Sequence, residues 1–248
     1  MDWSDTGFVV AKGLFREADV WLRILFRGHG MQTVFAFGGA HSRRRFVGCL
    51  DVMNILTCRV SPSRRGTYLD LEEAVLEKGP ERLRHSPALL GIAANCLKFT
   101  RAVGVPEQSG EEGFRLLSEM LARLESGDAP SVLFPLFFRL RLAGILGYAP
   151  GFDICASCGR PPVEGAGRFS VEEARVLCEE CASRSRGGGI VLSAKALDVL
   201  RDVQQEYPLS WPASGLSPQD RRQTAQAIDA FVQYHLGFTW ERGRFLRV

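Results

Sequence analysis

The chain is poor in lysine. Of its 31 basic residues only Lys12, Lys78, Lys98 and Lys195 are lysines, and the rest are arginines. Histidine is also scarce, with four in 248 residues and none in an H-E-x-x-H pattern. There is no G-x-x-x-x-G-K-[ST] loop to cradle phosphates and no G-x-S-x-G elbow to present a nucleophile. Acidic pairs such as Glu72-Glu73 and Glu179-Glu180 read as solvated faces rather than as a pocket. No catalytic residue is nominated, and the expectation is a protein that is not an enzyme. Long apolar runs are absent too. Val132 to Phe138 ends at Arg139, and Leu142 to Phe152 is interrupted by three glycines and a proline. A bilayer span needs roughly 20 apolar residues, so no transmembrane helix is expected. The opening Met1-Asp2-Trp3-Ser4-Asp5 is acidic and lacks the apolar core of a signal peptide. The expected location is the cytoplasm.

What is present is ordinary in bulk. The chain is 46% hydrophobic and 24% charged, with a net charge of only +3. Those proportions fit a globular protein, and the length allows one large domain or two to three small ones. Arginine's planar fork suits phosphates and stacks on bases, although an arginine bias can also be genomic.

Seven cysteines are placed unevenly: Cys49, Cys58, Cys96, Cys155, Cys158, Cys178 and Cys181. The last four form two C-x-x-C pairs separated by nineteen residues, a zinc-ribbon spacing. Each pair in a tight turn presents two thiolates to one metal, and two pairs close a tetrahedral site. Gly151, Gly159, Pro161 and Pro162 around the first pair suit such a turn. The expectation is one structural Zn2+ held by Cys155, Cys158, Cys178 and Cys181. Four free thiols, or a redox pair, are the alternatives. Four thiolates fill the coordination shell and leave no open position for hydrolytic chemistry. Cys49, Cys58 and Cys96 sit in apolar surroundings and read as small buried hydrophobes.

The first 80 residues read as β. Runs at Phe8–Phe15, Val20–Arg27, Met31–Phe37, Val52–Val60 and Thr67–Glu72 are separated by turn residues. Five short strands fit an OB-type barrel, and the pattern also allows an SH3-like one. From about residue 80 the period becomes helical. Ser86-Pro87 opens a helix, a second runs from about Glu111 to Glu125, and a third, apolar nearly all round, from about Ser131 to Gly147. The four-cysteine module occupies roughly 150–190 and ends in Gly187-Gly188-Gly189. Ser193 and Ser217-Pro218 each cap a later helix, the last running to about Leu236. The fold class expected is α+β and multidomain: a five-stranded OB-type β-barrel over 1–80, then an α-helical domain over 81–248 with an embedded four-cysteine zinc finger.

Charge is also uneven. From Lys12 to Arg65 ten basic residues face only Glu17, Asp19 and Asp51, a net +7 against +3 for the whole chain. That asymmetry points to a polyanion-binding N-terminal module. Arg43-Arg44-Arg45 and Arg64-Arg65 fall in loops. In the second strand Trp21, Arg23, Leu25 and Arg27 alternate onto one face, with Leu22, Ile24 and Phe26 on the other. Trp21 with Arg23 and Arg27, together with Lys12 and the two loop clusters, forms the candidate nucleic-acid surface, a base stacking on the ring and phosphates on the guanidiniums. A solvated face with a partly buried tryptophan is the alternative. His29 and His41 lie in turns and read as solvated.

Three blocks carry a family resemblance. The first is Gly39-Ala40, then Ser42-Arg43-Arg44-Arg45-Phe46 and Gly48-Cys49-Leu50. The second is Phe138 to Pro150, with its Leu146-Gly147-Tyr148 just ahead of Cys155-Ala156-Ser157-Cys158-Gly159. The third is Val176-Leu177-Cys178-Glu179-Glu180-Cys181-Ala182. In these blocks and in element order the chain resembles the RecO family of bacterial DNA-repair mediators. It departs at Gly38 and His41, where that family usually has lysine and often arginine, and at Asp51-Val52-Met53 in place of a common Pro-Phe. The resemblance implies an OB domain, a helical domain and a zinc finger, in a protein associated with the nucleoid. It implies binding of single- and double-stranded DNA and annealing of complementary strands. It also implies action with RecR to displace single-strand DNA-binding protein and help load RecA, and binding of the single-strand DNA-binding protein's C-terminal tail. A zinc-ribbon scaffold with no DNA binding of its own is the alternative.

Overall fold

The computed structural model describes residues 2–42, 44–162, 166–185, 188–212 and 215–248. They fall into two compact units, Met1–Gly127 and Asp128–Val248. In the first, β1 (Trp3–Leu14), β2 (Val20–Phe26), β3 (Gly30–Ala36), β4 (Ile55–Pro62) and β5 (Leu69–Lys78) close a barrel in the order β1-β2-β3-β5-β4. Every pairing is antiparallel except β3 with β5. This is the OB-type arrangement. β1 is long because it serves two neighbours: Trp3 to Phe8 pair with β4, and Gly7 to Leu14 with β2. A bulge between Val9 and Ala11 lets the strand bend from one to the other.

The inward row of β2 is Leu22, Ile24 and Phe26, all fully buried, as alternation predicts. Phe46, Cys49 and Leu50, from the β3–β4 connection, enter the same core. The arginine-bearing loop therefore continues directly into a hydrophobic plug.

The strand boundaries differ from expectation in three places. β1 starts at Trp3 rather than Phe8, because its N-terminal half has β4 as a partner. Residues 52–54 form a turn rather than the start of β4. There the Met53 N–H donates to Val9 O at 2.8 Å and Asn54 O accepts from the Val9 N–H at 2.9 Å. β5 runs on to Lys78 because β4 pairs with it throughout.

Helix α1 (Pro87–Val103) starts where Ser86 accepts the Leu89 N–H, and α2 (Gly110–Glu125) buries Leu117, Met120, Leu121 and Leu124. α2 lies against β1, β2 and β3. Two glycines allow that approach. A Cβ on Gly110 would stand 2.6 Å from Arg27 O, and one on Gly113 would stand 3.2 Å from a Leu25 methyl. The barrel strands end at Lys78, and α1 and α2 belong to the same compact unit as the barrel.

In the second unit α3 (Phe134–Ile145) buries Phe134, Phe137, Phe138 and Leu140, in keeping with its apolar circumference. A small sheet follows, β6 (Gly167–Ser170), β7 (Arg175–Cys178) and β8 (Ile190–Leu192), in the order β7-β6-β8. α4 (Glu179–Arg184) extends from β7. α5 (Ala194–Gln205) and α6 (Pro218–Phe231) are capped by Ser193 and Ser217, as the sequence indicates. Asp220 joins the two caps, accepting from Ser193 Oγ at 2.6 Å and from the Ser217 N–H at 3.1 Å. α6 runs into a π-helical turn over Val232–Leu236.

A terminal hairpin, β9 (Phe238–Glu241) with β10 (Arg244–Arg247), has no counterpart in the sequence reading. Its turn places Arg242 and Gly243 at φ 47° and 77°, the two-residue geometry that matches strand twist. The hairpin covers Arg139 of α3, whose guanidinium lies 4.9 Å from the Phe245 ring centre and donates to Asp229 at 2.8 Å. Among the described residues no helix is long and apolar enough to cross a membrane.

Candidate nucleic-acid interface and metal centre

The four module cysteines converge. β7 delivers Cys178 at its end, and the first turn of α4 delivers Cys181. Cys155 and Cys158 lie on a tight turn in which the Gly159 N–H donates to Cys155 O at 2.9 Å. Gly159 sits at φ 70°, a conformation other residues adopt at a cost. The Ala156 N–H donates to Val176 O at 2.9 Å, and Gly151 bridges Arg175, so backbone bonds hold the turn against β7.

All four sulfurs lie within 4.8 Å of one another, with Cys158 and Cys178 at 3.9 Å. Four sulfurs on a tetrahedral ion with bonds of about 2.3 Å stand about 3.8 Å apart. The spacing fits a metal. So does the electrostatics. Burial opposes ionising Cys155, yet amides of Cys158, Cys178 and Ser157 donate to its sulfur and bring the thiol down to about 6. Cys181 goes the other way. Its hydrogen bond with Ser157 favours the thiolate, but Cys178, burial and the other two sulfurs push it up to about 12. Four thiols this close ionise together only around a cation. The residues present could therefore hold one metal ion, with no coordination position left over.

The barrel presents the candidate nucleic-acid residues in four places. Arg44 and Arg45 lie in the β3–β4 connection, both exposed, and Arg43 between Ser42 and Arg44 lies outside the described residues. Arg45 is anchored: its guanidinium donates to Phe37 O at 2.6 Å and stands 4.9 Å from the Phe46 ring centre. Arg64 and Arg65 are exposed in the β4–β5 loop. Lys12 is bound to Asp51 at 3.0 Å on the exposed outer surface.

The outer face of β2 differs from the open strand face that alternation suggests. Leu25 is fully buried, because α2 covers that end of the strand. Arg27 is held by α2 as well. Glu111 accepts from it through both oxygens, at 2.9 and 2.6 Å, and Phe114 lies 5.6 Å away. That hydrogen bond, then the Coulomb attraction, raises the Arg27 pKa; the same bond lowers that of Glu111. Trp21 remains half-buried and lies over Gly13, where a Cβ would meet its ring at 2.5 Å. Arg23 is half-buried beside it. The two turn histidines differ. His41 is exposed, whereas His29 bonds Asp5 at 2.8 Å and stacks on Trp3 at 3.8 Å.

Sequence reasoning missed a group of rings. Phe15, Phe35, Phe37 and Tyr68 meet on the outside of the barrel, with centres 5.1 to 6.4 Å apart. Phe15 belongs to the β1–β2 loop, Phe35 to β3, Phe37 follows it, and Tyr68 precedes β5. Phe35 stands directly opposite Trp21 in the β2–β3 register. The available signal was the i, i+2 pairing of Phe35 and Phe37 on the face away from Val34 and Ala36. Arg16 lies 5.3 Å from the Phe15 ring. Among the described residues Arg16, Arg44, Arg64 and Arg65 make no ion pair. Asp70, opposite Phe35 across β3 and β5, is the nearby acid in register, and burial followed by Glu72 raises its pKa.

By fold and site, then, this is an OB-barrel protein with a four-cysteine centre in a separate helical unit. The model of the recombination protein O N-terminal domain matches residues 1–78, and that of its C-terminal domain matches residues 84–244. The chain is 45% identical over 252 residues to the DNA repair protein RecO of Nitratidesulfovibrio vulgaris (strain DP4), covering all of both chains. It is 44% identical to that of Oleidesulfovibrio alaskensis, again over both whole chains. Identity is 30% to the RecO of an Anaeromyxobacter species (strain K), over 97% of this chain and 94% of that one. The chain belongs to the RecO family of DNA repair proteins.

Proposed function

We propose that this protein is a non-enzymatic DNA-repair mediator. It binds single- and double-stranded DNA, anneals complementary strands, and acts with RecR to help load RecA onto DNA coated by single-strand DNA-binding protein. It works in the cytoplasm at the nucleoid. The observation that carries the reading is the set of exposed arginines without ion-pair partners on the loops of an OB barrel, Arg16, Arg44, Arg64 and Arg65. The β1–β2 and β4–β5 loops are where OB barrels receive oligonucleotides. Arginines there neutralise phosphates on two strands, lower their repulsion and raise the local strand concentration. Base pairing then completes the annealing. Arg27 and Lys12 contribute less, since each already has a carboxylate partner.

The metal of the four-cysteine centre is zinc in this reading. An all-sulfur tetrahedral set suits it, and its contribution is structural. The acidic C-terminal tail of single-strand DNA-binding protein is a further proposed ligand of the helical unit.

The test is annealing of labelled complementary oligonucleotides coated with single-strand DNA-binding protein. Acceleration that fades steeply as salt rises is expected, because counterion release drives such binding. Replacing Arg43, Arg44 and Arg45 together with alanine should flatten the salt dependence. No acceleration, with naked DNA also unbound, would leave the protein as a scaffold whose partner does the DNA binding.

A further inference from the structure

Four aromatic rings from three separate elements meet on the barrel's outer surface. Phe15 and Phe35 are 5.1 Å apart at 67°, Phe35 and Tyr68 are 5.7 Å apart at 71°, and Phe37 and Tyr68 are 5.8 Å apart at 60°. Phe15 is 50% exposed and Tyr68 42% exposed. The barrel core is complete without them, because Val34 and Ala36 fill the inward side of the same strand. Stacking for strand pairing alone would explain Phe35 and Phe37. It leaves unexplained why two loops contribute half-exposed rings to the same place.

Arginines border the cluster on several sides, with Asp70 opposite Phe35 as the nearby acid in register. Arg16 stands over Phe15, Arg45 binds the Phe37 carbonyl, and Arg64 and Arg65 belong to the loop that supplies Tyr68. Half-exposed aromatic rings bordered by guanidiniums match a ligand with flat apolar faces and regularly spaced anions. Unpaired bases on a phosphodiester chain have that chemistry, and stacking on aromatics accepts any base. A duplex does not offer it, since its base faces already stack on one another.

We infer that Phe15, Phe35, Phe37 and Tyr68 form a stacking subsite for the unpaired bases of single-stranded DNA, with Arg16, Arg64 and Arg65 holding the phosphates around it. The inference rests on the DNA-binding reading and adds a preference to it. The arginines bind either form of DNA, and the rings favour the unpaired one. Strands would then be held by their bases until a complement displaces the rings, and released from them once paired.

The test uses the full chain and two probes, an oligothymidylate and a duplex of equal length, at fixed and then varied salt. The Phe15→Ala/Tyr68→Ala double variant should weaken single-strand binding by about ten-fold or more and duplex binding by less than about two-fold. The slope of log affinity against log salt should stay unchanged, because no phosphate contact is removed. Retained duplex binding also reports that the barrel is folded. If the double variant fails to fold, Tyr68→Ala alone, at an exposed loop edge, should show the same selective loss at smaller size. Equal losses on both probes, or no loss on either, overturn the stacking subsite while leaving DNA binding by the protein intact. Wild-type protein that binds neither probe overturns the DNA-binding reading and this inference with it.

Discussion

The barrel and the cysteine module solve the same problem by different means. The barrel closes its five strands around one continuous core, with Leu22, Ile24, Phe26, Val34 and Leu56 fully buried. The module has three strands of three or four residues and little to bury beyond Phe152, Phe169, Val176 and Leu192. A region that small cannot offset its own ordering entropy through apolar burial. Its fixed point is the group of four sulfurs. The first region is held by area removed from water, whereas the second gathers four sulfurs that could hold a metal ion in place of a core.

That contrast fixes where each region breaks. Metal removal has the largest expected effect, since a structural ion of this kind contributes about 10 kcal/mol or more to its own module. A strong chelator, or Cys155→Ser with Cys178→Ser, should raise amide hydrogen exchange across residues 150–192 and leave β1 to β5 protected. Equal exposure of both regions would mean that the barrel depends on the metal. Metal analysis of protein purified without chelator should find one ion per chain.

The reverse lesion comes next. Phe26→Ala empties a fully buried position in the barrel core and should cost about 3–5 kcal/mol in denaturant titration. The metal content of the module should not change.

Smaller still is the carboxylate joining two helix caps. Hydrogen bonds from Ser193, then Ser217, lower the Asp220 pKa. A lowered folded-state value means the stabilisation is complete above the unfolded pKa and disappears as pH falls through the folded one. Asp220→Ala should therefore cost about 1 kcal/mol at neutral pH. The gap from wild type should close in acid below pH 4. A gap that persists there would assign the loss to packing.

The least effect belongs to Arg27 and Glu111. Their pairing is bidentate, but both side chains are exposed, at 49% and 63%. A double-mutant cycle should give a coupling under about 1 kcal/mol, shrinking with salt. Because Glu111 already neutralises Arg27, Arg27→Ala should disturb DNA affinity less than loss of the Arg64-Arg65 pair.

Elements dictated by local chemistry were legible in the sequence. Two C-x-x-C pairs bring their own turn geometry, so the four-sulfur cluster was legible from spacing alone. Ser86, Ser193 and Ser217 cap helices through bonds to residues three positions on, which sequence displays directly. The inward row of β2 followed from a period of two. The outward row did not. Periodicity separates two faces of a strand but cannot tell which outer face another element will cover. Leu25 was read as open surface and lies under α2, some 85 residues further along the chain, because Gly110 and Gly113 admit the helix, while Arg27 stays exposed but is tied to Glu111 of that helix. The aromatic cluster was hidden for a related reason: its rings come from positions 15, 35, 37 and 68, and only barrel closure brings them together. The terminal hairpin pairs two neighbouring strands, but what it packs on, Arg139 of α3, lies far back in the sequence and is met only in the folded chain. Local geometry is written residue by residue, whereas a shared surface exists only after the chain has closed on itself.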